Sequence, residues 1–175
     1  VSSSNLIVAA QMTWGDAVDF IGVRLYPCLG TEVALGTAPS VDDLMASYSS
    51  VLVEMSNVSQ RNGGKQIMVT NIGFQSRPSC HVNPSATVDR DGMDDSAWIE
   101  DHDPDCQANA YESTLASFKK EPWFAGIYWH GWTTDPTQGG PSDSSFSPHG
   151  KKAESVLRRY YIDMYHHHDD DSDDD

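Results

Sequence analysis

The chain has 175 residues, of which 38% are hydrophobic, and a formal net charge of −15. That length gives one domain with a core, falls short of the ~250 residues of a typical complete (β/α)8 barrel, and includes no apolar run near the ~20 residues of a membrane span. Six Asp in the 169–175 tail leave −9 for the remainder, a surface that repels phosphate backbones, excludes nucleic acid as a partner and suits a neutral polysaccharide.

VSSSNLIVAA has no initiator Met and no basic region, so it does not read as a signal peptide but as a chain entered mid-sequence. Leu6–Ala10 is a short apolar run. DFIGVRLY, residues 19–26, predicts a strand that ends at Pro27. Ser40 is placed to cap a helix, with Asp43 as its capping-box-like partner. Leu44, Tyr48, Val51, Leu52, Met55 and Val58 then recur at helical spacing as far as Gly63-Gly64. A second strand, QIMVTNIGF, spans 66–74, and a long polar stretch runs from Gln75 to Asp105; loops of that size are functional or disordered. A helix is expected over 106–120, with Ala108, Tyr111, Leu115 and Phe118 on one face, then the strand Trp123–Trp129. A Gly/Pro/Ser/Asp loop leads to a final helix from Gly150 to about Tyr165, and 166–175 reads as an acidic, disordered tail.

The order β, β-α, β-α, β-α with doubly apolar strands implies an α/β fold with a parallel sheet, either open and doubly wound or part of a closed barrel. No GxGxxG or GxxxxGK[ST] loop follows a strand, which argues against nucleotide binding. The acids of 89–105 lack the alternation of an EF-hand, so neither metal nor cofactor is assigned. Cys80 and Cys106 bracket the polar stretch and are placed to be joined in an oxidising environment, leaving Cys28 odd; unpaired thiols fit equally well. The sequon Asn57-Val58-Ser59, with the cysteines, points toward a secreted protein.

Residues two apart in a strand share a face. Ile21, Val23 and Leu25 form a packing face, and Phe20, Gly22, Arg24 and Tyr26 the other. Ile67, Val69 and Asn71 share a face in the second strand, and Ala125, Ile127 and Trp129 in the third. Tyr26, Asn71 and Trp129 are thus offered to one mouth, at the strand ends where barrels carry their sites. His130, by the same alternation, points away. Trp129 and Trp132 are candidates to stack on sugar rings, with core packing as the plain alternative. Asp135 either lines a subsite or forms a turn.

In order, DFIGVRLYPCLG, PSVDDL, GGKQIMVTNIGFQSRP, CQANAYESTLASFKKEPWFAGIYWHGWTTDP and SFSPHGKKAESVLRRYY resemble the last strands and helices of glycoside hydrolase family 113, a retaining family known for β-1,4-mannanase activity. The resemblance runs from about Trp14 to Tyr161. It implies a partial (β/α)8 barrel over 1–165, roughly strands five to eight, with Leu6–Ala10 near strand five. It implies a β-mannan-like polysaccharide or oligosaccharide as ligand, bound by Arg24, Tyr26, Trp129, Trp132 and Asp135, and a missing N-terminal half or a second copy as the barrel's complement. The family nucleophile is the Glu of a TEIG[FY] string, which here reads Thr70-Asn71-Ile72-Gly73-Phe74. The acid/base Glu would lie before Val1. Retaining hydrolysis needs both carboxyls, and a neutral amide one methylene shorter than Glu cannot form the glycosyl ester. The resemblance therefore implies a hydrolase relative inactive as written; the alternatives are a non-catalytic carbohydrate-binding relative or a non-functional fragment.

Overall fold

A computed structural model describes residues 17–31, 37–85 and 102–169, with side chains as far as Ile162. Three strands, β1 (Phe20–Arg24), β2 (Gln66–Ile72) and β3 (Phe124–Trp129), form one parallel sheet in the order β1-β2-β3. Sequential neighbours without a reversal are what a closing barrel requires; a doubly wound sheet instead has a switch point where the order turns back.

Among the described residues four helices accompany them. α1 (Val41–Ser47) and α2 (Ser49–Arg61) lie between β1 and β2, α3 (Pro104–Phe118) between β2 and β3, and α4 (Lys152–Asp169) after β3. Ser40 caps α1 as expected: its Oγ accepts from the Asp43 N–H at 3.1 Å and donates to Asp43 Oδ2 at 2.6 Å. The single helix expected over this region is two. At Tyr48 the chain tightens, its N–H bonding three residues back to Met45 O at 3.1 Å. The tight turn accompanies a buried hydroxyl contact, 2.7 Å from Tyr48 to Thr114 Oγ1 on α3.

α3 starts earlier than expected. The Asp103 carboxylate accepts from the N–H groups of Asp105 and Cys106 at 3.1 and 2.9 Å, and Pro104 fills the first helical turn, where a missing N–H costs nothing. Ala108, Tyr111, Leu115 and Phe118 are buried as anticipated. So are Ser113 and Thr114, whose hydroxyls bond back to the Ala110 carbonyl at 3.0 and 2.7 Å. α4 is described to Asp169, so its backbone takes in His166–His168. The Leu6–Ala10 strand, most of the 75–105 stretch beyond Ser85 and the tail from Asp170 lie outside the described residues.

The helices cover one sheet face. Ile21, Leu25, Ile67, Val69 and Ile72 join Leu44, Met55, Tyr111 and Phe118 in a continuous core. The opposite face is open among the described residues, with Phe20 51% and Tyr128 64% exposed. On that face Gly22, Met68 and Gly126 occupy one row across the three strands. The register is irregular at two places: β3 holds an extra residue where Ile67 faces Phe124 and Met68 faces Gly126, and a second irregularity lies near the strand ends. The pairing slips between Val23 and Arg24 and again between Val69 and Ile72, so Arg24 lies opposite Asn71 and Trp129 opposite Ile72. After this irregularity Asn71 joins the open face and Ile72 the core.

Candidate functional site

The slip in register positions the polar cluster at the C-terminal ends of the strands. The Tyr26 hydroxyl donates a short hydrogen bond to Asn71 Oδ1. Next to it, the backbone N–H of Leu25 donates to Asn71 O at 2.9 Å, so the end of β1 grips Asn71 through both main chain and side chain. The Arg24 guanidinium sits 5.1 Å from the centre of the Tyr26 ring. Burial pushes the Tyr26 hydroxyl above its usual pKa, and the Arg24 charge offsets this only in part. Tyr26 is therefore a neutral donor at physiological pH. No carboxylate pairs with Arg24, Tyr26 or Asn71 among the described residues.

His130 completes the cluster. Its ring meets Tyr26 edge-on at 6.4 Å and Phe146 edge-on at 4.8 Å, and its backbone N–H donates to Ile72 O at 2.7 Å. Gly73 makes this approach possible, because a Cβ there would stand 3.0 Å from His130 Cβ, 3.2 Å from Phe146 Cδ1 and 3.3 Å from His130 O. Gly73→Ala is expected to cost about 1–3 kcal/mol through that crowding and to displace the His130 ring. Urea unfolding and the His130 imidazole NMR shifts check both effects.

Trp129 does not stand at the mouth where it was expected. Opposite buried Ile72, it turns to the helices and stacks on Tyr111 at 4.1 Å and 14°, while its indole N–H donates to the Tyr161 hydroxyl at 3.1 Å. Ile127 and Trp129 do share a face, as expected, but it is the core face and not the mouth, the extra residue lying in β2 between Val69 and Ile72; His130, expected to point away, meets Tyr26. Trp132 stands 50% exposed in the loop after β3. Asp135 shapes a turn in the same loop, accepting from Thr137 N at 2.9 Å and Thr137 Oγ1 at 2.7 Å; those bonds hold its carboxyl below the usual range. The structure thus brings together Arg24, Tyr26 and Asn71, and adds His130.

Polar groups gathered at the carboxyl ends of consecutive parallel strands, above a helix-covered core, are the arrangement of β/α-barrel proteins. Solved structures with that barrel share the fold. One is the β-mannanase AaManA from Alicyclobacillus acidocaldarius, solved with ManMIm, at 21% identity and a TM-score of 0.59 over 88% of this chain and 42% of that one. A second β-1,4-mannanase structure matches at 17% identity and a TM-score of 0.55, over 86% of this chain and 41% of that one. The chain belongs to Glycoside Hydrolase Family 113, whose family model matches residues 3–151. It spans about two fifths of the length of these solved mannanase chains. No curated protein matches.

Proposed function

We propose that the chain forms the C-terminal part of a family 113 barrel, with β1, β2 and β3 as barrel strands six, seven and eight. In this reading it binds a β-1,4-mannan-type saccharide and does not cleave it by double displacement. The observation that carries this is Asn71 at the end of the middle strand, on the open face, where the family resemblance calls for the nucleophilic Glu. Its amide is neutral and is already engaged by Tyr26. A carboxamide can hydrogen-bond a sugar hydroxyl, but it has no charge to attack an anomeric carbon. Arg24, Tyr26 and Trp132 supply the polar and aromatic contacts to the sugar, with Asp135 shaping the loop beside them. Trp129, turned to the helices against Tyr111 and Tyr161, does not stack on the sugar. The acid/base carboxyl, and the rest of the sugar's subsites, come from the complementary part of the barrel. A polymer of this kind is met outside the cell, which is where the reading puts the protein.

The test fuses this chain behind the complementary barrel half of a family 113 mannanase. The fusion is expected to bind mannohexaose by calorimetry without releasing reducing sugar. Asn71→Glu in the same fusion is expected to raise hydrolysis on the order of 10³-fold or more. A fusion that neither binds mannohexaose nor responds to Asn71→Glu overturns the proposal. Binding without any gain on Asn71→Glu leaves the site as a binding site alone, a reading favoured by the preformed Tyr26–Asn71 bond.

A further inference from the structure

Outside the polar cluster, the densest group of reactive side chains lies where the segment after β2 meets the start of α3. Cys80 and Cys106 are both buried and both free thiols, whereas Cys28 is exposed. The backbone N–H of Cys80 donates to Cys106 Sγ at 3.2 Å. His81 Nδ1 lies 3.7 Å from Cys106 Sγ. The other ring nitrogen, Nε2, lies 3.0 Å from the Thr31 carbonyl, which can only accept, so Nε2 carries the proton and Nδ1 is free to take one from Cys106. The pair shares its charge unequally. The Cys80 hydrogen bond, followed by His81, draws the Cys106 thiol down to about 7 against the effect of burial, while burial and Cys106 push Cys80 up.

This group also bridges the site loops. His81 O accepts from Leu29 N at 2.8 Å, so the segment carrying Cys80 is fastened to the loop that follows Tyr26. The Cys106 N–H is held by the Asp103 cap, which fixes the other sulfur to the first turn of α3.

We propose that Cys80 and Cys106 are a disulfide-forming pair that staples the segment after β2 to the start of α3 and so braces the loop that carries Tyr26. The oxidant is a small-molecule disulfide such as glutathione disulfide. It meets the pair as the segment docks during folding, because both sulfurs are shielded in the finished fold. Cys106 passes its proton to His81 Nδ1, and its thiolate attacks one glutathione sulfur and expels the other glutathione as thiolate. Cys80 then gives its proton to the departing glutathione thiolate and attacks the Cys106 sulfur, which expels the second glutathione as thiolate, and that thiolate takes the proton held on His81. Two protein thiols are oxidised to one disulfide, and one glutathione disulfide is reduced to two thiols.

The test refolds the reduced 175-residue chain in a glutathione redox buffer, quenches with acid, alkylates the free thiols and maps the peptides by mass spectrometry. The expected result is a Cys80–Cys106 cross-link with Cys28 alkylated, at a yield well above that from the same buffer containing denaturant. The oxidised chain is expected to melt roughly 5–10 °C above the reduced chain, a difference that Cys28→Ser keeps and Cys106→Ser removes. Recovery of Cys80 and Cys106 both alkylated, cross-links to Cys28 in their place, or a native yield no higher than the denatured one overturns the proposal. The peptide map of the unmutated chain decides the matter even where Cys106→Ser fails to fold.

Discussion

Phe118→Ala is expected to lower the stability of the chain by about 3–5 kcal/mol, the cost of removing a buried aromatic ring whose space cannot collapse. Phe118 is the last residue of α3 and is fully buried. Its ring meets three others edge-on, Tyr48 at 5.4 Å, Trp123 at 5.7 Å and Phe124 at 5.7 Å. One side chain therefore joins the α1–α2 junction, the entry to β3 and β3 itself. Each edge-to-face pair adds to the area term, so the loss exceeds what transfer from water alone accounts for. The surrounding rings are held by different elements, which keeps them from closing on the void. Phe118→Leu retains most of the bulk and is expected to lose roughly half as much. Urea unfolding of the three proteins gives the comparison directly, and a shared slope with a lowered midpoint shows that stability, not the unfolded state, has changed.

Gln107→Ala is expected to cost about 2–4 kcal/mol for a different reason: it empties buried volume and leaves the Phe74 carbonyl without a donor. The Gln107 side-chain amide is fully buried and donates to Phe74 O at 2.9 Å, Phe146 O at 3.2 Å and Ser145 O at 3.4 Å. Those carbonyls belong to the segment just after β2 and to the loop between β3 and α4; Phe146 O keeps the Tyr111 hydroxyl at 3.5 Å and Ser145 O keeps Lys151 Nζ at 2.9 Å, whereas Phe74 O relies on Gln107. Gln107 Oε1 itself has no partner. Gln107→Met removes that unsatisfied oxygen while keeping the volume, so it is expected to cost less than Gln107→Ala although Phe74 O loses its donor in both. Equal losses for Met and Ala in urea unfolding would show that volume has no part in the effect. Loss of amide-exchange protection at Ser76, whose N–H bonds the Ser144 and Ser145 carbonyls at 3.1 and 3.2 Å, is expected in both.

Much of this architecture was legible along the chain. Three strands and their helices announce themselves by period, and the βα order implies the parallel sheet. Apolar alternation at Ile21 and Ile67 assigns the core face correctly. Legibility ends where the period of two does. A register slip depends on how two strands pair, and neither strand contains that information by itself, so Ile67, Val69 and Asn71 read as one face when Asn71 belongs to the other. Along β3 the alternation of Ile127 and Trp129 holds, but the period alone does not say that theirs is the core face, which turns Trp129 to the helices and leaves His130 beside Tyr26. Other differences had local signals that were passed over. Asp103-Pro104 is a good cap and first turn, yet it sits inside an acidic stretch that reads as loop. The break at Tyr48 has no local signal, since it accompanies a hydroxyl contact with Thr114, 66 positions along the chain. As for the site, Arg24, Tyr26 and Asn71 were readable because they end their strands, whereas His130 was not.

The row Gly22, Met68, Gly126 has a geometric consequence. When a sheet rolls up, its inner surface has a shorter circumference than its outer one, so side chains on the inside compete for width. A large residue flanked by two residues without side chains gives the middle strand room while its neighbours swing inward. The space is already in use: a Cβ on Gly126 would meet the Met68 sulfur at 3.3 Å, and one on Gly22 would meet Thr70 Cγ2 at 3.0 Å. In a sheet curving toward this open face, such steps in side-chain volume leave β1 and β3 room beside the bulk of β2.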